Sequence, residues 1–118
     1  MKAAAEHFSR SRRLLNSVDY DRVLRGSEWR KDRRSIRILA VRNQRSGPRL
    51  GIVVPKRFVR MAHDRNAIKR VIREIFRRQA RDLPAVDVII MIGPGCERAR
   101  VSEILAGLMT ELANRQMS

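Results

Sequence analysis

The stretch VDVIIMI, residues 86–92, is an almost unbroken apolar run. It lies between Leu83-Pro84 on one side and Gly93-Pro94-Gly95 on the other, both chain-breaking pairs or triplets. A run this short, bounded by breakers and rich in β-branched residues, reads as a strand buried on both faces. The segments around it have a different period. In DRNAIKRVIREIFRRQARDL (residues 64–83), Ile68, Val71, Ile72, Ile75, Phe76 and, at the end, Gln79 recur at i, i+3, i+4, i+7 and i+8. That is the stripe of an amphipathic helix, and His63 or Asp64 can cap it. RVSEILAGLMTELANR repeats the pattern, with Val101, Ile104, Leu105, Leu108, Met109 and Leu112 facing inward.

The first half of the chain reads as a helix followed by strands. NSVDYDRVLRGSEW is a short helix that Asn16 or Ser17 can cap; its apolar set is Val18, Tyr20, Val23 and Leu24, and Gly26 ends it. SIRILAV alternates at its start and reads as a strand. NQRSGP is a turn cluster, and RLGIVVP is a second strand stopped by Pro55. Two strands around a short turn predict an antiparallel hairpin. The order is then helix, two or three strands, helix, strand, helix. It forms an α+β sandwich of one sheet with helices packed on it.

The 118 residues fit a single domain, 1–118, with a basic arm at 1–12 and a fraying C-terminus at 113–118. The charge is the unusual quantity: 27 Lys+Arg against 12 Asp+Glu, a net +15 and a pI near 11.7. Such a field repels its own copies and attracts polyanions, nucleic acid first and an anionic membrane surface second. Cys96 is the only cysteine, which excludes an internal disulfide and fits a reduced, cytoplasmic setting. No run approaches the roughly 20 apolar residues of a membrane span, and MKAAAEHFSRSRRLL lacks the apolar core of a signal peptide.

On the long helix, Arg65, Asn66, Lys69, Arg70, Arg73 and Arg77 fall largely opposite the apolar stripe, with Glu74 the one acid among them. A solvated face ordinarily mixes signs, whereas like charges at i, i+4 destabilise a free helix by a few tenths of a kcal/mol per pair. A phosphate backbone reverses the sign of that energy. Lys56, Arg57 and Arg60 extend the basic surface onto the preceding loop, and Arg10, Arg12 and Arg13 make a basic arm. Aromatic residues, the usual stacking platforms for single strands, are few; Tyr20 and Phe58 are the candidates, and plain packing is the competing reading for each. His7 and His63 are isolated, GPGCER lacks the end of a P-loop, and no acidic cluster resembles a two-metal site.

RNAIKRVIREIFR (residues 65–77) resembles the signature R-N-x-x-K-R-x-x-R-x-x-F of the bacterial ribonuclease P protein component, through Arg65, Asn66, Lys69, Arg70, Arg73 and Phe76. RLGIVVPKRFVRMAH, RRLLNSVDYDRVL and LPAVDVIIMI resemble that family's basic-turn strand, first helix and fourth strand, so the likeness covers roughly residues 8–112. The resemblance implies a mostly antiparallel four-stranded sheet with three helices, in the order α-β-β-β-α-β-α. It implies a ribosomal protein S5 domain 2-like fold with a left-handed β-α-β crossover.

It also implies the small subunit of a ribonucleoprotein endonuclease that removes the 5′ leader of precursor tRNA. Catalysis would belong to the RNA subunit and its magnesium, with no cofactor held by protein side chains alone. The partners implied are the catalytic RNA and precursor tRNA, one protein with one RNA, and no membrane. By match, Arg65, Asn66, Lys69, Arg70, Arg73 and, continuing that face, Arg77 would meet the RNA subunit. Tyr20, Leu24 and Ile36, with Lys56, Arg57, Phe58 and Arg60, would line or flank the leader cleft. The chain departs from the pattern where Tyr20 and Leu24 replace two phenylalanines, Arg57 replaces a lysine, and IGPGC follows the last strand.

Other classes fit less well. A basic ribosomal or RNA-assembly protein shares the composition but not the helix motif. A helix-turn-helix DNA regulator would place a short helix and tight turn before the long helix, where this chain has a strand and a basic loop. A protein-only nuclease needs the acidic cluster that the sequence lacks.

Overall fold

The structure, a computed structural model, describes residues 16–45 and 47–115. The basic arm at 1–12 lies outside the described residues. Three helices, α1 (Ser17–Gly26), α2 (Ala62–Gln79) and α3 (Val101–Ala113), pack on a four-stranded sheet of β1 (Trp29–Arg33), β2 (Ile36–Arg42), β3 (Arg49–Val53) and β4 (Val86–Ile92). The element order is the expected one, and the fold is α+β.

The expected β2–β3 hairpin does not form. The strand order is β1-β2-β4-β3. β4 lies between the two, antiparallel to β2 (Ile36↔Ile92 through Arg42↔Val86) and parallel to β3 (Arg49↔Asp87 through Val53↔Met91). The reason lies in β4 itself. Six of its seven residues are buried, and an interior position pairs both of its backbone edges as well as covering both faces, which avoids a long apolar edge. The pairing makes β3-α2-β4 a parallel crossover around the long helix.

The hairpin that does form joins β1 to β2 through Arg34-Ser35. β1 reads WRKDR, and only Trp29 is buried. As an edge strand it can carry charges on most positions, so it shows no apolar alternation.

The two sheet faces divide the core. Ile36, Ile38, Ala40, Leu50, Val86, Val88, Ile90 and Ile92 face α2 and α3, where Ile68, Ile72, Phe76, Leu105 and Leu108 are buried against them. Each fully buried side chain of this size contributes about 1.5–3 kcal/mol. The other face holds a smaller cluster of Val23, Leu39 and Ile89, flanked by Tyr20, Val41, Val53 and Met91.

α1 lies on that second face. The Asn16 side chain caps it, accepting from the Asp19 N–H at 2.9 Å. Its apolar set is smaller than expected. Val23 is fully buried, but Val18 is 72% and Leu24 42% exposed. At about 100° per residue, Val18 points away from the stripe of Tyr20 and Val23, and Leu24 flanks it. α2 begins one residue before His63, with Met61 as a cap residue that lends no side chain. Neither His63 nor Asp64 caps it. Asp64 lies instead in the first turn, where an acid favours the helix dipole, and pairs with Arg98 at 3.0 Å.

Candidate nucleic-acid interface

The outward face of α2 is built by the same period that buries its stripe. Asn66, Arg70 and Arg73 are exposed and Lys69 is half-buried. Lys69, Arg70 and Arg73 have no ion-pair or hydrogen-bond partner among the described residues. The two ends of the expected face are engaged elsewhere. Arg65 donates from Nη1 to the carbonyls of Val59 (3.0 Å) and Arg60 (2.9 Å), fastening the basic loop to the helix start. Arg77 and Arg78 both reach Glu74, at 2.5 and 3.1 Å, and the Arg77 hydrogen bond first, then Arg78, holds the Glu74 carboxyl below its usual range. The cations with no partner at all among the described residues are therefore the central triplet, narrower than the six residues read from sequence; Arg65 keeps its charge on neutral carbonyls, and Arg77 and Arg78 share one carboxylate.

A second feature crosses one end of the sheet. A cleft of about 430 Å³ is lined by Asp32–Arg37, Pro55, Arg57, Phe58 and Met91–Pro94. These residues come from the β1–β2 turn, the loop after β3 and the end of β4. Arg57 stacks over the Phe58 ring at 4.7 Å. Arg37 forks onto Asp32 at 2.7 and 3.1 Å, and Arg33 reaches Glu111 at 2.6 Å.

The residues expected around a cleft are not all together. Arg57 and Phe58 line it. Lys56 and Arg60 are exposed on the same loop. Tyr20 lies over the smaller cluster, its Oη accepting from the Ile52 N–H at 3.1 Å. Leu24 is on the outer flank of α1. Ile36 also borders this cleft, although it is 1% exposed and its side chain belongs to the core under α2 and α3, on the sheet face opposite Tyr20. Strand alternation puts it there, since Leu39, three positions on, is the β2 residue that meets α1. Arg33, Arg34, Arg37 and Met91 also line the cleft and are not among the residues read from sequence; the legible signal for Arg33 and Arg34 is the cation run RKDRR, which lacks apolar period.

α1 is locked over its half of the sheet by a buried polar cluster. Asp87 is 0% exposed. It accepts from Arg49 at both oxygens (2.9 and 2.8 Å), from Asn43 at 2.9 Å, and from Arg22 of α1. Asp19 adds a contact to Arg49 at 3.3 Å. These bonds satisfy a carboxylate that would otherwise be very costly to bury.

The sequence model of the family described as Ribonuclease P matches residues 8–115. The chain belongs to the ribonuclease P protein family. It is 44% identical over 88 residues to the ribonuclease P protein component of Halorhodospira halophila, covering 75% of this chain and 72% of that one. Among solved structures it is similar to the RNase P protein of Thermotoga maritima, at 27% identity and a TM-score of 0.71, over 84% of this chain and 96% of that one. The RNase P protein of Staphylococcus aureus, at 24% identity, supports the fold, with a TM-score of 0.75 over 87% and 98% of the two chains.

Proposed function

We propose that this chain is the protein subunit of ribonuclease P, binding the catalytic RNA and the 5′ leader of precursor tRNA to promote removal of the leader. The observation that carries the reading is the α2 triplet of Lys69, Arg70 and Arg73, side by side without acidic partners, inside the Arg65–Phe76 motif of this family. Three adjacent cations without counter-charges suit a phosphate backbone, and neutralising it releases counterions. On this reading α2 meets the RNA subunit, and the smaller-cluster face with Tyr20 and the adjoining cleft at Phe58 hold the single-stranded leader.

Catalysis belongs to the RNA and its magnesium. Among the described residues no group of three or more His, Cys, Asp or Glu is placed to hold a metal ion. The complex is one protein with one RNA, in the cytoplasm. No helix among the described residues is long and apolar enough to cross a membrane.

The test is reconstitution: purified protein added to a ribonuclease P RNA at low magnesium, with cleavage of a leader-bearing precursor tRNA as readout. Stimulated cleavage at the mature 5′ end is expected. Absence of stimulation, with the protein folded, refutes the assignment. A basic ribosomal protein would bind RNA in such a mixture without restoring cleavage.

A further inference from the structure

We propose that the β1–β2 turn forms a phosphate subsite for the single-stranded leader, with Arg34 as its cation and Phe58 under Arg57 as the adjacent base platform. The inference rests on the leader reading above and adds to it a wall of the cleft that the sequence motif does not contain.

Four observations converge. First, the turn is a two-residue hairpin loop between the paired residues Arg33 and Ile36, and both of its residues have positive φ, 45° at Arg34 and 68° at Ser35. Such turns ordinarily carry Asn-Gly or another glycine pair, so an arginine there is held at a conformational cost. Strained backbone of this kind concentrates at ligand sites. Second, the turn is fixed in place. The Gly93 N–H donates to the Ser35 carbonyl at 2.7 Å, and the Ser35 hydroxyl donates to the Pro94 carbonyl at 2.5 Å. Third, the neighbouring cations are committed, Arg33 to Glu111 and Arg37 to Asp32. Arg34 is exposed and has no ion-pair or hydrogen-bond partner among the described residues. Fourth, Arg34, Arg57 and Phe58 line the same 430 Å³ cleft.

An unpartnered guanidinium on a rigid tip presents a planar fork suited to a phosphate. An aromatic ring across the same cleft is suited to a base, whatever its identity. Together they fit one nucleotide of a flexible single strand.

The test uses the holoenzyme reconstituted with ribonuclease P RNA. Arg34→Gly removes the guanidinium and suits the positive φ, so the turn is preserved; Arg34→Lys keeps the charge. Binding of precursor tRNA with a leader and of mature tRNA is measured across a salt series. Arg34→Gly should weaken leader-bearing substrate about three- to tenfold and lower its log–log salt slope by about 0.7, the share of one single-strand phosphate. Mature tRNA binding and affinity for the RNA subunit should be unchanged, and Arg34→Lys should restore the slope. If wild-type protein favours leader-bearing substrate and Arg34→Gly keeps that preference and slope in full, the subsite is refuted and the leader reading stands. A loss of RNA-subunit affinity in Arg34→Gly also refutes it, by placing Arg34 on the other RNA. If wild-type protein shows no preference for a leader, the broader reading fails, and this inference with it.

Discussion

The triple variant Lys69→Ala, Arg70→Ala, Arg73→Ala probes the α2 face most directly. These three cations have no partner among the described residues, while Arg65 is bonded to the Val59 and Arg60 carbonyls and Arg77 to Glu74. If each of the three meets a phosphate on a duplex-like RNA, their removal lowers the log–log salt slope of RNA-subunit binding by about 2.7, at roughly 0.9 per contact. Over a fourfold rise in salt, wild-type affinity should then fall about 40-fold further than that of the variant. The single variant Arg77→Ala should change the slope far less, because its guanidinium is already engaged by Glu74 within the helix.

Misfolding does not offer a competing explanation. Alanine is the best helix former, and the substitutions remove the like-charge pairs Lys69/Arg73 and Arg70/Arg73, each unfavourable by a few tenths of a kcal/mol. The free variant should melt at or slightly above the wild-type temperature. Filter binding of labelled ribonuclease P RNA across a salt series gives the slopes, and circular dichroism gives the melting points. An unchanged slope in the triple variant, or an equal drop in Arg77→Ala, refutes the placement of the RNA subunit on this triplet.

Three further outcomes are expected. Asp87→Ala leaves the Arg49 guanidinium buried and without its main counter-charge, so thermal or urea unfolding should show a loss of about 3–5 kcal/mol; a loss below about 1 kcal/mol would show that the cluster does not hold α1. Tyr20→Phe removes the acceptor of the Ile52 N–H, costing up to about 1 kcal/mol of stability, yet should keep leader-dependent substrate binding, whereas Tyr20→Ala should lose it; equal effects of Tyr20→Ala on substrates with and without a leader would remove the ring from the site. Glu28 is held at a pKa of about 2, first by its side-chain hydrogen bond to Arg42, against a usual 4.5. Its folded pKa is depressed, so its contribution is present above about 4.5 and is lost as pH falls toward 2. Melting curves of Glu28→Gln and wild type should therefore converge over that window, and a gap that persists at the acid end would refute the assignment.

The parts of this fold that were legible share one property: their signal is local. The stripes of α2 and α3 and the unbroken run of β4 are periodicities that a few turns or one strand specify. The Arg65–Phe76 motif was legible for the same reason, since its residues are neighbours on one helix. The β2–β3 hairpin was misread because a short turn between two strands says nothing about a third strand arriving later. β4 took the interior position, so β2 and β3 flank it rather than pair with each other. β1 was illegible by composition, since an edge strand with one buried residue needs no apolar alternation.

The same division runs through the site. The amino-acid sequence by itself determined which residues share a face of α2 and that this face is cationic, because a 3.6-residue period needs no tertiary partner. Only the tertiary structure decided which of those cations stay free. Val59 and Arg60 of the preceding loop take Arg65, whereas Glu74 takes Arg77 and Arg78 within the helix itself, at i, i+3 and i, i+4. It alone put Ile36 in the core at the edge of the cleft and brought Arg34 and Phe58, 24 positions apart, to the lining of one cleft, because β4 carries Gly93 and Pro94 to the β1–β2 turn. Charge and period are properties of a segment, whereas neutralisation and enclosure depend on what the rest of the chain places beside it.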